Sequence, residues 1–250
     1  MKKFKLFLLI SAIGLVSATR LSAQDFYVNS IGYKISSSDV TVVNGKNVKG
    51  DVILPDYVTY KGKEYRVTGV GESAFRANTN LTSIILPDDV TGIEENAFSS
   101  CKNLTSVILP EGLEYIRSNA FSGCKNLTSI NFPEGLMSIA IYAFQNCSSL
   151  TSVTLPESLT TLSIGAFRNC EKLTSITIPE NVTRIGEAAF SNCNLKTITV
   201  VDRNTIYDSR NNCNAIITKG TNELILGCKT TIIPDTVTEI GATAFAGARL

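Results

Sequence analysis

The amino-acid sequence predicts an α/β solenoid in which rungs of 23 residues stack on one another. Three observations predict it. A phenylalanine preceded by alanine recurs every 23 residues, a proline recurs with the same step, and so does a cysteine. The three series are Phe75, Phe98, Phe121, Phe144, Phe167 and Phe190; Pro87, Pro110, Pro133, Pro156 and Pro179; and Cys101, Cys124, Cys147, Cys170 and Cys193.

Each repeat predicts a short strand, a turn, an extended arm and a short helical turn. Ile84 and Leu86 are two residues apart, which is the period of a strand. Pro87 ends that strand, because proline brings no N–H group to the ladder. Phe98 and Cys101 are three residues apart, which suits a single turn of helix.

A single repeat cannot fold by itself. Burying about eight apolar side chains contributes on the order of 15 kcal/mol. Ordering the backbone costs roughly 1 to 2 kcal/mol per residue, and each repeat has 23 residues. Stacking reverses the balance, because every rung then shares its apolar edges and backbone hydrogen bonds with two neighbours. We therefore expect the strands of successive rungs to pair in parallel, about 4.8 Å apart.

Two departures from the period predict hairpins. Pro55 and Pro87 are 32 residues apart, and the additional residues include the hairpin-like stretch at residues 60–65. After the repeat containing Pro179, the pattern lapses and resumes at Pro234. We predict that residues 201–230 form an irregular rung that carries its own hairpin.

The N-terminus has the layout of a secretory signal. Lysines precede an apolar run over residues 6–16, and small residues follow it. We predict a signal over residues 1–23, cleaved after Ala23, with cleavage after Ala18 as the alternative. The apolar run is too short for a membrane anchor, and no second hydrophobic segment is long enough to cross a membrane. The protein is therefore expected to be exported, to the periplasm, the cell surface or the medium.

The remaining chain divides into a cap and a solenoid. Residues 24–54 lack the repeat, are strand-like, and are expected to form a β-rich cap over the first rung. Residues 55–250 are expected to form the solenoid. The sequence given stops at Leu250 within a rung, so we expect an uncapped C-terminal edge through which self-association is possible.

Composition excludes several functions. Removing residues 1–23 takes away four basic side chains and no acid, which leaves 19 basic and 22 acidic side chains and a formal charge of −3. Nucleic acid is therefore not an expected partner. The chain has no histidine, so it has neither a Ser-His nor a Cys-His pair. We expect no enzyme, no metal site and no cofactor.

The repeat resembles a known family. The motif L-x-x-I-x-L-P-x-x-V-x-x-I-x-x-x-A-F-x-x-C, carried by residues 81–101 and their copies, is similar to the BspA-like leucine-rich repeats of bacterial surface proteins. The resemblance covers about residues 50–250. It implies a right-handed leucine-rich-repeat superhelix on an exported or surface protein, and an adhesin that binds host or bacterial proteins. It carries over no catalytic residues and does not identify a ligand.

The cysteine column has two interpretations. Buried thiols that act as small hydrophobic groups are favoured. Disulfides within the column are the alternative, because stacked rungs bring Cα atoms close to the separation that a disulfide needs. A bridge between Cys213 and Cys228 also stays open.

An acidic residue follows each column proline. Its carboxylate is expected to accept hydrogen bonds from N–H groups of the turn beyond the proline. The alternative is that the column binds calcium or a basic partner. Its members are Asp56, Asp88, Glu111, Glu134, Glu157, Glu180 and Asp235.

The outward positions of the strands are the candidate binding surface. Leucine-rich-repeat proteins bind on this concave sheet, although here it lacks the aromatic and arginine anchors of typical interfaces. The predicted contact residues are Ser83, Ile85, Ser106, Ile108, Ser129, Asn131, Ser152, Thr154, Ser175 and Thr177. Ile85 and Ile108 are the expected apolar contacts. The irregular rung offers an alternative contact region at Arg203, Tyr207 and Arg210.

Three functional hypotheses follow. The first is an exported recognition module of the adhesin type that binds other proteins. The second is a structural surface protein that packs with copies of itself. The third is a carbohydrate-binding module, which only the hydroxyl-rich strand surface favours.

Overall fold

The structure, a computed structural model, describes residues 25–248. The predicted signal and both cleavage positions therefore lie outside the described residues. The fold is a stack of short strands joined by turns. The strands are β1 (Asp25–Val28), β2 (Ile31–Ser36), β3 (Asp39–Asn44), β4 (Gly50–Ile53), β5 (Tyr57–Tyr60), β6 (Lys63–Val70), β7 (Leu81–Ile85), β8 (Gly92–Ile93), β9 (Ser106–Ile108), β10 (Tyr115–Ile116), β11 (Ser129–Asn131), β12 (Ser138–Ile139), β13 (Ser152–Thr154), β14 (Thr161–Leu162), β15 (Ser175–Ile178), β16 (Arg184–Ile185), β17 (Thr197–Val200), β18 (Tyr207–Asp208), β19 (Ala215–Thr218), β20 (Glu223–Gly227) and β21 (Glu239–Ile240).

Two columns of parallel strands form the solenoid, which makes about seven turns of about 23 residues each. The strand face is the outer surface of the first column: β4, β7, β9, β11, β13, β15 and β17. Ser83 lies opposite Ser106 in this column, and Ser129 lies opposite Ser152. The second column contains β6, β8, β10, β12, β14 and β16, again in parallel register. The predicted parallel stacking is confirmed.

The predicted helical turn is wrong, and with it the α/β class. The segment that carries the Ala-Phe pair is a chain of β-turns, in which Asn96 and Ser100 have positive φ angles of 57° and 62°. A residue with positive φ interrupts a right-handed helix. The N–H of Phe98 also leaves its own rung and bonds to the Ala120 carbonyl at 2.7 Å. A spacing of three residues fits a β-turn as well as a helix, which is why periodicity alone misled.

The only helical element in residues 25–248 is a short 3₁₀ turn, Arg210–Asn212. The solenoid is therefore built from β-strands and turns. The N–H groups of the turns alternate between two destinations. Ala97 bonds to Glu94 of its own rung at 3.2 Å, whereas Asn96 bonds to Ser118 of the next rung at 3.0 Å. The turns thus connect the rungs in the same way as the strands do.

Phenylalanine rings form a continuous stack through the core. Neighbouring rings lie 5.0 to 5.5 Å apart between centroids and are nearly parallel. The six rings are at most 2% exposed. They belong to Phe75, Phe98, Phe121, Phe144, Phe167 and Phe190.

The N-terminal strands β1, β2 and β3 are antiparallel, and β3 pairs in parallel with β6. β4 falls within the segment 24–54, yet it lies in the first column beside β7. The hairpin predicted at residues 60–65 is confirmed as β5–β6. Its turn residues, Lys61 and Gly62, both have positive φ, as tight hairpin turns require.

The irregular rung contains the antiparallel strands β18, β19 and β20, so its predicted hairpin is present. β20 then pairs in parallel with β21. The chain of β-turns that carries the Ala-Phe pair then recurs around Ala246. It stacks on the turns of the rung before the insertion, because the Asn192 N–H bonds to the Ala246 carbonyl at 2.8 Å. The insertion is therefore accommodated beside the stack without ending it.

Candidate functional site

The strand face presents two outward columns. In the first, Ser106, Ser129, Ser152 and Ser175 are exposed. Ser83 is partly buried and donates to the Asp51 carboxylate at 2.6 Å. Hydrogen bonds from Ser83 and Thr82 lower the pKa of Asp51, so this acid keeps its charge at neutral pH.

The second outward column of side chains on the strand face changes from apolar to polar along the solenoid. Ile85 is partly buried and Ile108 is 57% exposed, whereas the following positions are Asn131, Thr154 and Thr177, all exposed. The structure thus places all ten predicted contact residues on one surface, with the apolar ones at its N-terminal end.

Ile53 extends this apolar region, although it is not among the predicted contact residues. Ile53 pairs with Ile85, which pairs with Ile108, and its side chain is 73% exposed. It precedes its proline by two residues, as Ile85 and Ile108 precede theirs. That spacing would have identified it. We call Ile53, Ile85 and Ile108 the isoleucine stripe.

The acidic column borders the strand face and has two different halves. The Glu134 carboxylate accepts from the Glu157 N–H at 3.2 Å, and the Glu157 carboxylate accepts from the Glu180 N–H at 3.4 Å. Glu180 pairs with Arg203 at 3.1 Å. These bonds run between rungs, whereas the sequence led us to expect bonds within a turn.

The three acids nearest the isoleucine stripe differ from Glu134, Glu157 and Glu180. Asp56, Asp88 and Glu111 are exposed. Within residues 25–248 their carboxylates have neither an ion pair nor a hydrogen bond. Their charges are therefore available to a partner.

The alternative contact region is largely occupied by internal contacts. The Tyr207 ring is buried, and its hydroxyl accepts from the Ile185 N–H at 3.0 Å. Arg210 makes a two-point ion pair with Asp208, with both N–O distances 2.8 Å. Arg203 is 80% exposed, although it pairs with Glu180. Of the three predicted residues, only Arg203 projects into solvent.

All seven cysteines are free and buried, which agrees with the thiol interpretation. The Sγ of Cys124 donates to the carbonyl of Phe98 at 3.2 Å, and the other column thiols repeat this contact. Burial raises the pKa of Cys101 and of Cys147 to about 12. The thiols of Cys101 and Cys147 are therefore protonated packing groups at neutral pH.

Within the described part of the chain, no group of three or more cysteine, aspartate or glutamate side chains could hold a metal ion. A cleft of about 490 Å³ lies where the repeat is interrupted, lined by Asn169, Glu171, Lys172, Asn192, Cys193, Asn194 and Gly247. A second cleft, of about 370 Å³, adjoins Ile53 at the end of the isoleucine stripe. No helix in residues 25–248 is long and apolar enough to cross a membrane.

Solved structures of bacterial proteins share this fold. The chain is similar to a leucine rich cell surface protein from Faecalibacterium prausnitzii A2-165, with 28% identity, a TM-score of 0.69, and coverage of 90% of this chain and 74% of that one. A leucine-rich repeat protein from Bacteroides ovatus is also 28% identical, with a TM-score of 0.54 and coverage of 71% and 59%. The pneumococcal vaccine antigen PcpA, at 24% identity, shares the fold with a TM-score of 0.75 and coverage of 88% and 61%.

The chain thus spans about three fifths of the length of the latter two proteins. No protein with a curated description matches its sequence. The family described as the BspA type leucine rich repeat region matches residues 93–218, in six copies. With the register of the strands and the stacked Ala-Phe turns, this match shows that the chain belongs to the BspA-type leucine-rich repeat family.

Proposed function

We propose that the protein is an exported recognition module that binds other proteins through its strand face. The observation that carries the proposal is the isoleucine stripe. Ile53 on β4 and Ile108 on β9 expose most of their side chains on either side of β7, on a surface that is otherwise polar. Exposed apolar side chains that cluster in this way are typical of interaction surfaces.

Three further observations support the proposal. The fold is a quasi-one-dimensional stack, which creates the extended surface that repeat proteins use for binding. One of the similar structures is described as a cell surface protein. The N-terminal sequence has the layout of a secretory signal. The proposal assigns no catalytic step to the protein.

The proposal is tested by binding of the purified protein to immobilised extracellular-matrix proteins and bacterial surface proteins, measured by biolayer interferometry. A variant with Ser106→Arg and Ser129→Arg places two bulky cations on the strand face, beside the isoleucine stripe. The matched control has Thr160→Arg and Thr183→Arg. These change exposed threonines next to β14 and β16, in the second column of strands. We expect the first variant to lose binding to any panel protein at least tenfold, and the control to keep it. Equal binding by both variants, or no binding by the native protein, would refute the proposal.

Self-packing is a second candidate, and the rung that contains Pro234 favours it. Ile233 precedes its proline as Ile178 precedes Pro179. Ile178 is fully buried, whereas Ile233 is 46% exposed and Ile240 is 51% exposed. Sedimentation velocity tests this candidate. If it holds, the native protein forms dimers that Ile233→Ser and Ile240→Ser abolish, while Ile108→Ser leaves them intact. A strict monomer at millimolar concentration would contradict it.

A further inference from the structure

The isoleucine stripe and the acidic column change character at the same rung. The stripe comprises the outward positions of β4, β7 and β9, and the next position in the column is Asn131. The unpaired acids Asp56, Asp88 and Glu111 belong to the same three rungs. Glu134, in the next rung, is the first acid whose carboxylate accepts a hydrogen bond from a neighbouring rung. Over these three consecutive rungs an apolar surface therefore lies beside exposed acids, and Ile232 and Asp235 repeat the pair in the rung of Pro234.

Turn chemistry does not account for the free acids. If the acidic column served only to connect rungs, all its members would accept hydrogen bonds as Glu134 and Glu157 do. Asp56, Asp88 and Glu111 are instead exposed on three consecutive rungs. Like charges about 5 Å apart repel by up to roughly 1 kcal/mol per pair in water. A cation bound between them would relieve that repulsion.

The stripe continues into the cleft beside Ile53. Apolar groups of Val28, Ile31, Val52 and Pro55 line this cleft, and Lys49 also contributes to its wall. Its volume of about 370 Å³ is enough for an aliphatic side chain. The cleft wall carries charges of both signs, Lys49 and Asp51, whereas Asp56, Asp88 and Glu111 are all negative, so a cationic side chain is better placed over these three acids.

From these contacts we infer that the partner surface is a protein segment in which aliphatic side chains alternate with lysine or arginine. The aliphatic side chains lie on the isoleucine stripe, and the cations lie along Asp56, Asp88 and Glu111. This inference rests on the proposed function and specifies the chemistry of its partner. Three rungs span about 10 Å at 4.8 Å per step, so a segment of three to four extended residues covers the stripe.

A synthetic peptide tests the inference. The probe is a blocked octapeptide of alternating lysine and leucine. Two comparison peptides replace every lysine by glutamate or every leucine by serine. The protein carries ¹³C-labelled isoleucine methyl groups, and binding is followed by NMR. We expect the methyl signals of Ile53 and Ile108 to shift, and the lysine-leucine peptide to bind at least tenfold more tightly than either comparison peptide. Raising the salt from 50 to 500 mM should weaken this binding, because the charges are exposed.

Paired variants separate the two contributions. Asp88→Asn with Glu111→Gln removes two free acids, and Ile53→Ser with Ile108→Ser removes most of the stripe. Each pair should weaken the binding of the lysine-leucine peptide at least tenfold. The matched control, Glu134→Gln with Glu157→Gln, removes the same charge from the acids that accept hydrogen bonds from the next rung. It should bind the peptide as the native protein does. Circular dichroism verifies that each variant is folded.

Several results would overturn the inference. These are methyl shifts centred away from the stripe, equal binding of all three peptides, or native affinity in the Asp88→Asn and Glu111→Gln variant. A dimer that buries Ile53 and Ile108 without peptide would also overturn it, because a second copy would then occupy the surface. If a panel protein binds the strand face but ignores both paired variants, the inference fails while the proposed function stands. If no panel protein binds, the proposed function fails whatever the peptide does.

Discussion

Replacing Phe121 by alanine should destabilise the protein by about 5 kcal/mol. The Phe121 ring is fully buried, and truncation of a buried phenylalanine costs roughly 3 to 5 kcal/mol through lost burial and the cavity left behind. The ring also stacks between Phe98 and Phe144, with both centroid distances 5.1 Å. Each aromatic pair contributes roughly 0.5 to 1.5 kcal/mol beyond burial.

A comparison within the stack sharpens this prediction. Phe190 contacts only one ring of the stack, Phe167, at 5.5 Å. Its replacement by alanine should therefore cost about 1 kcal/mol less than Phe121→Ala, because one ring pair is lost and not two. Ile108→Ser is the surface control and should change stability by less than about 0.5 kcal/mol.

Urea unfolding followed by far-ultraviolet circular dichroism measures these differences. The slope of the transition reports whether unfolding stays cooperative, because it scales with the surface exposed. The reasoning would be refuted if Phe121→Ala cost no more than Phe190→Ala. It would also be refuted if Phe121→Ala cost as little as Ile108→Ser.

Three other predictions concern buried polar groups and thiols. Asn204 is fully buried, and its side chain makes four hydrogen bonds: it donates to the carbonyls of Pro179 and Val182 and accepts from the N–H groups of Ile206 and Tyr207. Asn204→Ala should cost about 3 kcal/mol in urea unfolding because these groups lose their partners, whereas the exposed Asn181→Ala should cost under about 1 kcal/mol; equal costs would contradict this. Burial raises the pKa of Cys101 and Cys147 from 9.0 to about 12, so the folded protein holds these protons more tightly than the unfolded chain does. The contribution of each protonated thiol to the free energy of unfolding is complete below pH 9 and falls by about 1.4 kcal/mol per pH unit between pH 9 and 12. Urea unfolding at pH 8 and 10.5 measures this loss. A loss that stays the same in Cys147→Ala would show that the Cys147 thiol does not cause it. Finally, a thiol reagent at pH 8 should label all seven cysteines only after denaturation, and rapid labelling of the native protein would show that the column is open.

The sequence predicts the stacking because its period acts on whole columns. A step of 23 residues places Phe98 over Phe121 and Ser83 beside Ser106, whatever the local conformation of the backbone. The interruptions of the repeat are predictable as well. The additional residues between Pro55 and Pro87, together with Gly62, predict the hairpin β5–β6. Periodicity therefore determines which residues are neighbours.

Backbone conformation and contacts between rungs could not be predicted in the same way. The positive φ of Asn96 leaves the spacing of the apolar residues unchanged, so a chain of β-turns resembles a helical turn in sequence. The sequence predicts the same role for every acid of the column, although Glu134 accepts a hydrogen bond from the next rung and Glu111 does not. Tyr207 is a predicted contact residue, but its ring is buried and its hydroxyl accepts a hydrogen bond from the Ile185 N–H. Each of these features depends on what lies one rung away.

Stacking in register is the central claim, and distances between spin labels test it most directly. Ser106 and Thr197 are exposed and belong to the same outward column, four rungs apart. Labels at position 106 and at position 152, 175 or 197 should give distances that increase by about 4.8 Å per rung, reaching about 19 Å for the last pair. A distance that fails to increase with rung number would contradict the account.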